Sequence, residues 1–313
     1  MILITLAAFA LLALVPASAA ADGLPAVGID ARPLAAPRGD VEYLTKAVKR
    51  GTLLIERGRQ GGSQRQRRIP GAFSIPAVAY DSSPSGISAN GRRLILISPR
   101  TRYPRKRTTL AVVDPRRLSV RRLIHLKGDF SFDAISPDGA LMYLIKYDPE
   151  NLARYEVRAY NMHVQNLVAN PVVDPDEADE PMTGVPVTRT SSADGRWAYT
   201  LYDSQEHPFV HALDTERSSA VCIDLDDLPR AWGSSLELHG PKLDVVGPAG
   251  RVRATISTRT HTLVEPRAEP AKAAEDSEEA GTSWLPIAVP TAALLLLLTA
   301  LGRRRSASRA AVS

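Results

Sequence analysis

The sequence predicts an all-β chain, a β-propeller of four to five four-stranded blades, and three observations predict it. A turn phrase recurs as Ser88-Ala89-Asn90-Gly91, Ser136-Pro137-Asp138-Gly139 and Ser192-Ala193-Asp194-Gly195, at steps of 48 and 56 residues. Each copy runs into an apolar stretch: Leu94 to Ile97, Leu141 to Ile145, Trp197 to Leu201. No helical period separates the copies. Asp or Asn folds its side chain onto the backbone ahead, and Gly takes the positive φ that closes a tight turn. The β-branched or aromatic run that follows then pairs as a strand. A strand-rich repeat of this length is the pattern of propeller blades. Asn90, Gly91, Asp138, Gly139, Asp194 and Gly195 are therefore structural residues of blade turns.

Taken in order, Thr52 to Arg57 reads as a strand, Gly58 to Gln66 as a polar loop, and Arg68-Ile69 and Phe73 to Tyr80 as further extended runs. The first repeat continues through Arg92 to Ser98, a basic loop from Arg100 to Arg107, and strands at Thr109 to Val113 and Ser119 to Leu126. The second has Phe130 to Ile135, Leu141 to Tyr147, Tyr155 to Tyr160 and Gln165 to Val173. The third has Val185 to Thr190, Trp197 to Tyr202, Pro208 to Leu213 and Ser219 to Leu225. A degenerate fourth follows at Leu236 to His239, Leu243 to Val246, Arg251 to Ile256 and Thr262 to Val264. Each unit has an entry strand, a post-turn strand, a third ending near Asp or Asn, and a fourth. The strands before the first repeat complete no blade of their own, and a fifth blade shared between the two ends would protect open sheet edges.

Ser-Pro-Asp-Gly followed by an aromatic-rich strand resembles the WD40-like repeats of bacterial TolB-type propellers. The runs Gly128 to Gly139 and Asp194 to Tyr202 are also similar to membrane-anchored propellers of bacteria. The resemblance covers about residues 50 to 265 and implies a role in binding other envelope proteins. Asn90 in place of Asp, the fourth turn Gly247-Pro248-Ala249-Gly250, and the uneven spacing depart from the pattern.

The ends carry addresses. Residues 1–21 run apolar to Val15, then Pro16-Ala17-Ser18-Ala19, the h-region and cleavage site of a signal peptide without a basic n-region. Residues 22–40, rich in Ala, Pro and Gly, read as a loose leader before the ectodomain 41–266. Residues 267–283 form an acidic, Ala- and Pro-rich spacer with little to bury. Trp284 to Gly302 carries no charge and precedes Arg303-Arg304-Arg305, the pattern of one transmembrane helix with 303–313 in the cytoplasm. The expected location is the cell membrane, single-pass, with the propeller outside.

The chain has 39 Lys and Arg against 34 Asp and Glu, a net charge of +5. Lys46 to Lys127 holds 20 basic and 3 acidic residues, a balance of +17; Gly128 to Pro266 holds 11 and 22, a balance of −11. Such a split gives opposite potentials to different parts of one domain. Arg100, Arg102, Arg105, Lys106 and Arg107 are the candidate patch for an anionic envelope polymer, lipid headgroups or an acidic protein. No nucleic-acid motif is present.

His207, Phe209 and His211 alternate, so the two imidazoles share a side. With Asp174, Asp176 and Glu177 of the acidic loop 174–180 they are weak metal candidates; a polar strand face and a solvated loop account for the same residues. Gly86-Ile87-Ser88-Ala89-Asn90-Gly91 approaches a nucleophile elbow with one residue too many. The lone cysteine, Cys222, excludes an internal disulfide and reads as a buried, inert thiol in an apolar strand. No cofactor is expected. The leading function is a non-enzymatic binding propeller; the alternative is a hydrolase or lyase with a metal in the central channel, where Asp133, Asp138, Asp194 and His211 would meet.

Overall fold

The computed structural model describes residues 32–264 except 152, 153, 179, 181 and 205. All of them belong to the unit Met1–Pro266. The signal peptide, the spacer 267–283, the span 284–302 and the tail 303–313 lie outside the described residues. Among the described residues no helix is long and apolar enough to cross a membrane.

The described chain is all-β, five antiparallel sheets taken in chain order. Sheet 1 comprises β1 (Leu34–Ala35), β2 (Val41–Val48), β3 (Gly51–Gly58) and β4 (Gln64–Ile69). Sheet 2 comprises β5 (Leu94–Ile97), β6 (Arg107–Asp114) and β7 (Ser119–Lys127). Sheet 3 holds β8 (Phe130–Ile135), β9 (Leu141–Tyr147), β10 (Tyr155–Asn161) and β11 (Asn166–Val172). Sheet 4 holds β12 (Val185–Ser191), β13 (Trp197–Asp203), β14 (Phe209–Asp214) and β15 (Ser219–Asp224). Sheet 5 holds β16 (Ser235–His239), β17 (Lys242–Val246), β18 (Val252–Ser257) and β19 (Thr262–Leu263). In every sheet sequential strands are neighbours, the up-and-down order of a propeller blade.

Three expectations change. The ends do not share a blade, because residues 34–69 build sheet 1 alone and 235–263 build sheet 5 alone. The leader 22–40 is not loose throughout, because β1 pairs with β2 through Leu34 and Ala35. The run Phe73 to Tyr80 is no regular strand; isolated bridges Ser74↔Ile97 and Ile87↔Leu94 take the fourth place beside β5. Pro76 within it, and Pro84 in the segment that follows, remove donors that a continuous ladder needs.

The three turn phrases fold alike. The side-chain oxygen of Asn90 accepts the Ser88 hydroxyl (2.8 Å) and the Arg92 N–H (2.9 Å). Asp138 accepts Ser136 (2.7 Å) and the Ala140 N–H (2.8 Å), and Asp194 accepts Ser192 (2.5 Å) and the Arg196 N–H (3.0 Å). Gly91, Gly139 and Gly195 close the turns at φ of 67°, 77° and 76°. They lie side by side. The Asn90 N–H donates to the Pro137 carbonyl (3.0 Å), its side-chain amide to the Asp138 carbonyl (2.9 Å), and Gly195 packs against Ala89. One repeated device thus lines up sheets 2, 3 and 4.

Hydrophobic clusters fill the junctions between consecutive sheets. Leu54, Ile69, Leu94 and Leu96 join sheets 1 and 2; Ile95, Leu110, Phe130 and Met142 join sheets 2 and 3. Two clusters lie between sheets 3 and 4, and one lies between sheets 4 and 5.

Candidate functional site

The site grows out of the pleat of sheet 4. Opposite residues of an antiparallel pair share a face, and that face recurs every second residue. Register pairs Ala198 with Leu213 and Leu213 with Ala220; Thr200 with His211 and His211 with Cys222; Tyr202 with Phe209 and Phe209 with Asp224. Ala198, Leu213 and Ala220 pack with Tyr143 and Val157 of sheet 3, and Tyr202 and Phe209 pack with Ile145, Tyr147 and Tyr155. Between these two apolar layers runs a polar stripe, Thr200, His211 and Cys222.

The inner end of the stripe is a buried ion pair. Arg189 Nε donates to Thr200 Oγ1 (2.6 Å), one Nη donates to the Asp133 carbonyl (3.1 Å), and the other donates to the Asp133 carboxylate. The side chains of Arg189 and Asp133 are 5% and 3% exposed. Asp133 Oδ2 is buried and has no hydrogen-bond partner.

The outer end opens into a cavity of about 570 Å³ lined by Asp174, Glu177, Glu180, Glu206, His207, His211, Cys222 and Asp224 among others. A neighbouring cavity of about 460 Å³ shares Val173, Glu180 and Met182 with it. Asp174 caps the 3-10 turn Pro175–Glu177 by accepting the Asp176 N–H (3.0 Å), and its second oxygen accepts the Cys222 N–H (2.8 Å). Cys222 is a free thiol, half-buried. One ligand atom from each of Asp174, Glu177 and Cys222 lies within 4.8 Å of the other two. His211 is 2% exposed, and its Nε2 is buried without a partner.

Burial pushes the Cys222 thiol up, and the carboxylates of Glu177, Asp174 and Asp224 add to the effect. Burial likewise raises Glu177, reinforced by the charges of Asp224, Asp174 and Glu180. Burial pushes His211 down to about 4, opposed by the Asp133 carboxylate and aided by the Arg189 guanidinium. The imidazole is neutral at ordinary pH, the form that can ligate.

The structure brings together Asp174, Glu177, His207 and His211 among the weak metal candidates, while Asp176 points outward as an exposed residue. His207 precedes β14 and stands at the rim, its Nδ1 3.5 Å from Asp224. Cys222, read as a buried and inert thiol, is half-buried against Tyr202 and Phe209, and its thiol is pushed up by burial. Its neighbours Val221 and Ile223 face the apolar junction with sheet 5, and Cys222 faces the other way. Asp133, Asp138, Asp194 and His211 do not meet in a channel: Asp133 holds Arg189, Asp138 and Asp194 hold turns, and His211 lies in the stripe between sheets.

The basic loop is divided. Arg100 is 2% exposed, pairs with Asp129 (2.8 Å) and lies over the rings of Tyr103 and Tyr147 at 5.0 and 4.8 Å. Arg105 joins the same carboxylate at 3.1 Å, and burial, with the Arg100 charge, pulls it down to about 10. Arg102, Lys106 and Arg107 are exposed. A second basic surface lies where β4 meets β7. There Arg65 donates to the Arg116 carbonyl (2.8 Å) and Arg67 to the Arg117 carbonyl (3.2 Å), with Arg116 and Arg117 themselves exposed.

Five successive up-and-down sheets, with the turns of sheets 2, 3 and 4 aligned, define the class, a β-propeller-type chain. No family model matches it, and no curated protein sequence does. Solved structures similar to it include TolB from Acinetobacter baumannii, at 13% identity and a TM-score of 0.41, over 70% of this chain and 52% of that one. Hydrazine synthase of Kuenenia stuttgartiensis is similar at 18% and 0.38, over 57% of this chain and 47% of that one. An oligogalacturonate lyase in complex with manganese is similar at 12% and 0.48, over 74% and 63%. This chain spans about half the length of the hydrazine synthase and TolB chains it matches. Likenesses at these values carry no argument about activity.

Proposed function

We propose that this chain is a non-enzymatic binding module of the cell envelope, held outside the membrane by the 284–302 span, that recognises an anionic polymer. The observation that carries this reading is the arginine edge of sheets 1 and 2. Arg65 and Arg67 reach across from β4 to carbonyls of the turn that bears Arg116 and Arg117. The acidic partners there are Glu56, at 2.6 Å from Arg65, and Asp114, shared by Arg117 and Arg121. Gathering like charges costs repulsion that salt only partly screens. A chain of phosphates or carboxylates relieves it, and planar guanidinium groups meet such oxygens two at a time. Arg102, Lys106 and Arg107 extend the same sign on the loop of sheet 2.

Two features support placing the ligand outside the cell: the signal-like start of the sequence and the charge-free span ahead of three arginines. The test is retention of the full chain, in detergent, on an immobilised anionic glycopolymer. Elution should require salt, and Arg67→Ala/Arg116→Ala/Arg117→Ala should elute earlier than Arg102→Ala/Lys106→Ala/Arg107→Ala. Elution at the same salt for both variants and the parent would discard the reading.

A further inference from the structure

Asp174, Glu177 and Cys222 converge from the loop after β11 and from β15, on the floor of the 570 Å³ cavity between sheets 3 and 4. Clustered carboxylates alone are common at protein surfaces. Here a second observation points to a ligand. The imidazole of His211 lines the same cavity, is 2% exposed, and leaves Nε2 without a hydrogen bond. A buried polar nitrogen without a partner costs about 1–3 kcal/mol, so such atoms are rare unless something else takes them up. Register sets His211 directly opposite Cys222, with the two side chains on one face about 4.5–5.5 Å apart at Cβ.

We propose that Asp174, Glu177 and Cys222 form a binding site for a divalent transition-metal cation of the zinc type, with His211, whose ring nitrogens lie outside the 4.8 Å grouping of those three donors, turning in as the fourth ligand. The donor set decides the class of ion. One thiolate, one imidazole and two carboxylates are the ligands of four-coordinate zinc, whereas calcium and magnesium take oxygen throughout. Bonds of about 2.0–2.3 Å in a tetrahedron place donor atoms about 3.3–3.8 Å apart, so the three atoms need close by only about an ångström. Asp174 is already held in place by the Cys222 and Asp176 N–H groups, which orient its carboxylate for a ligand role. Glu180, Glu206 and Asp224 on the walls add negative potential along the approach. This site is on a different pair of sheets from the arginine edge and does not depend on it.

The experiment uses the full chain in detergent, stripped with a chelator and titrated with Zn²⁺ and, separately, with Co²⁺. One equivalent of Zn²⁺ should bind and raise the unfolding midpoint, and Co²⁺ should show a cobalt–thiolate charge-transfer band. Cys222→Ser should abolish that band, and Cys222→Ser and His211→Gln should each weaken Zn²⁺ binding by about 10–100-fold. Cys222→Ser leaves the backbone N–H bonded to Asp174, and unchanged far-ultraviolet spectra in both variants confirm folding. Arg67→Ala/Arg116→Ala/Arg117→Ala should bind Zn²⁺ like the parent, which separates this site from polymer binding. Absence of saturable Zn²⁺ binding, or binding that both Cys222→Ser and His211→Gln leave intact, overturns the assignment.

Discussion

Sheet 4 is packed on both faces, and the two faces are built differently. Toward sheet 5, Tyr199, Leu201, Val210, Ala212 and Ile223 meet Leu236, Leu243, Val245 and Ile256 in one apolar cluster. Each fully buried aliphatic side chain there is worth about 1.5–3 kcal/mol, and the polar atoms are confined to the Tyr199 hydroxyl and to the His261 imidazole, which packs on Trp197 at 4.2 Å. Toward sheet 3, two apolar layers are separated by the stripe that runs from Asp133 and Arg189 through Thr200 and His211 to Cys222. A junction that only held sheets together would not need this stripe. Buried polar groups cost free energy unless paired, and Asp133 Oδ2 and His211 Nε2 are not paired. The difference teaches that the 4/5 junction is cohesive while the 3/4 junction gives up cohesion to present ligand atoms.

The strongest way to break that contrast is Arg189→Ala. It strands the buried Asp133 carboxylate and should lower the unfolding free energy by about 3–5 kcal/mol in urea titrations. Arg189→Met with Asp133→Leu should recover most of the loss, because both charges are then gone. A loss under about 1 kcal/mol for Arg189→Ala would mean that the stripe is wet rather than sealed. Across the sheet, Leu243→Ala opens a cavity in the apolar junction and should cost about 2–5 kcal/mol. Unlike the 3/4 variants, it should leave Zn²⁺ affinity unchanged.

Smaller effects sharpen the comparison at the turns. Gly139→Ala places a Cβ 2.8 Å from the Arg93 side chain at a left-handed φ, whereas Gly91→Ala meets nothing within 4 Å. Both should lose about 1–2 kcal/mol for the backbone, and Gly139→Ala should lose more through Arg93. The smallest effect is on pH dependence. The Ala140 N–H holds Asp138 below the usual carboxylate range, and the Ser192 hydroxyl does the same for Asp194. The unfolded chain binds more protons in that range, so their contribution is complete above it and disappears as pH falls through it. Asp138→Asn/Asp194→Asn should flatten the acid side of the melting-temperature profile; an unchanged slope would remove the turns from the account.

Legibility followed the range of the forces involved. β8 to β10 and β12 to β15 were readable within a residue or two of most boundaries, because alternation and turn chemistry are local. β4 was not, since Gln64 to Arg68 is polar throughout and is a strand only because β3 supplies its partners. Asp174, Glu177, His207 and His211 were visible as residue types but not as neighbours. Cys222 was hidden by Val221 and Ile223, which belong to the other face. Arg100 and Arg102 looked alike in sequence, yet Asp129 buries the first and leaves the second outside.

By itself the sequence determined that this chain turns where Ser, Asp or Asn and Gly come together, and that apolar, buried strands follow. Those preferences act within five residues and need no distant partner. Only the tertiary structure decided which charges meet. Asp133 finds Arg189 56 residues away, and Cys222 finds Asp174 48 residues away, because sheets stacked on one another set the register between segments that no local preference connects.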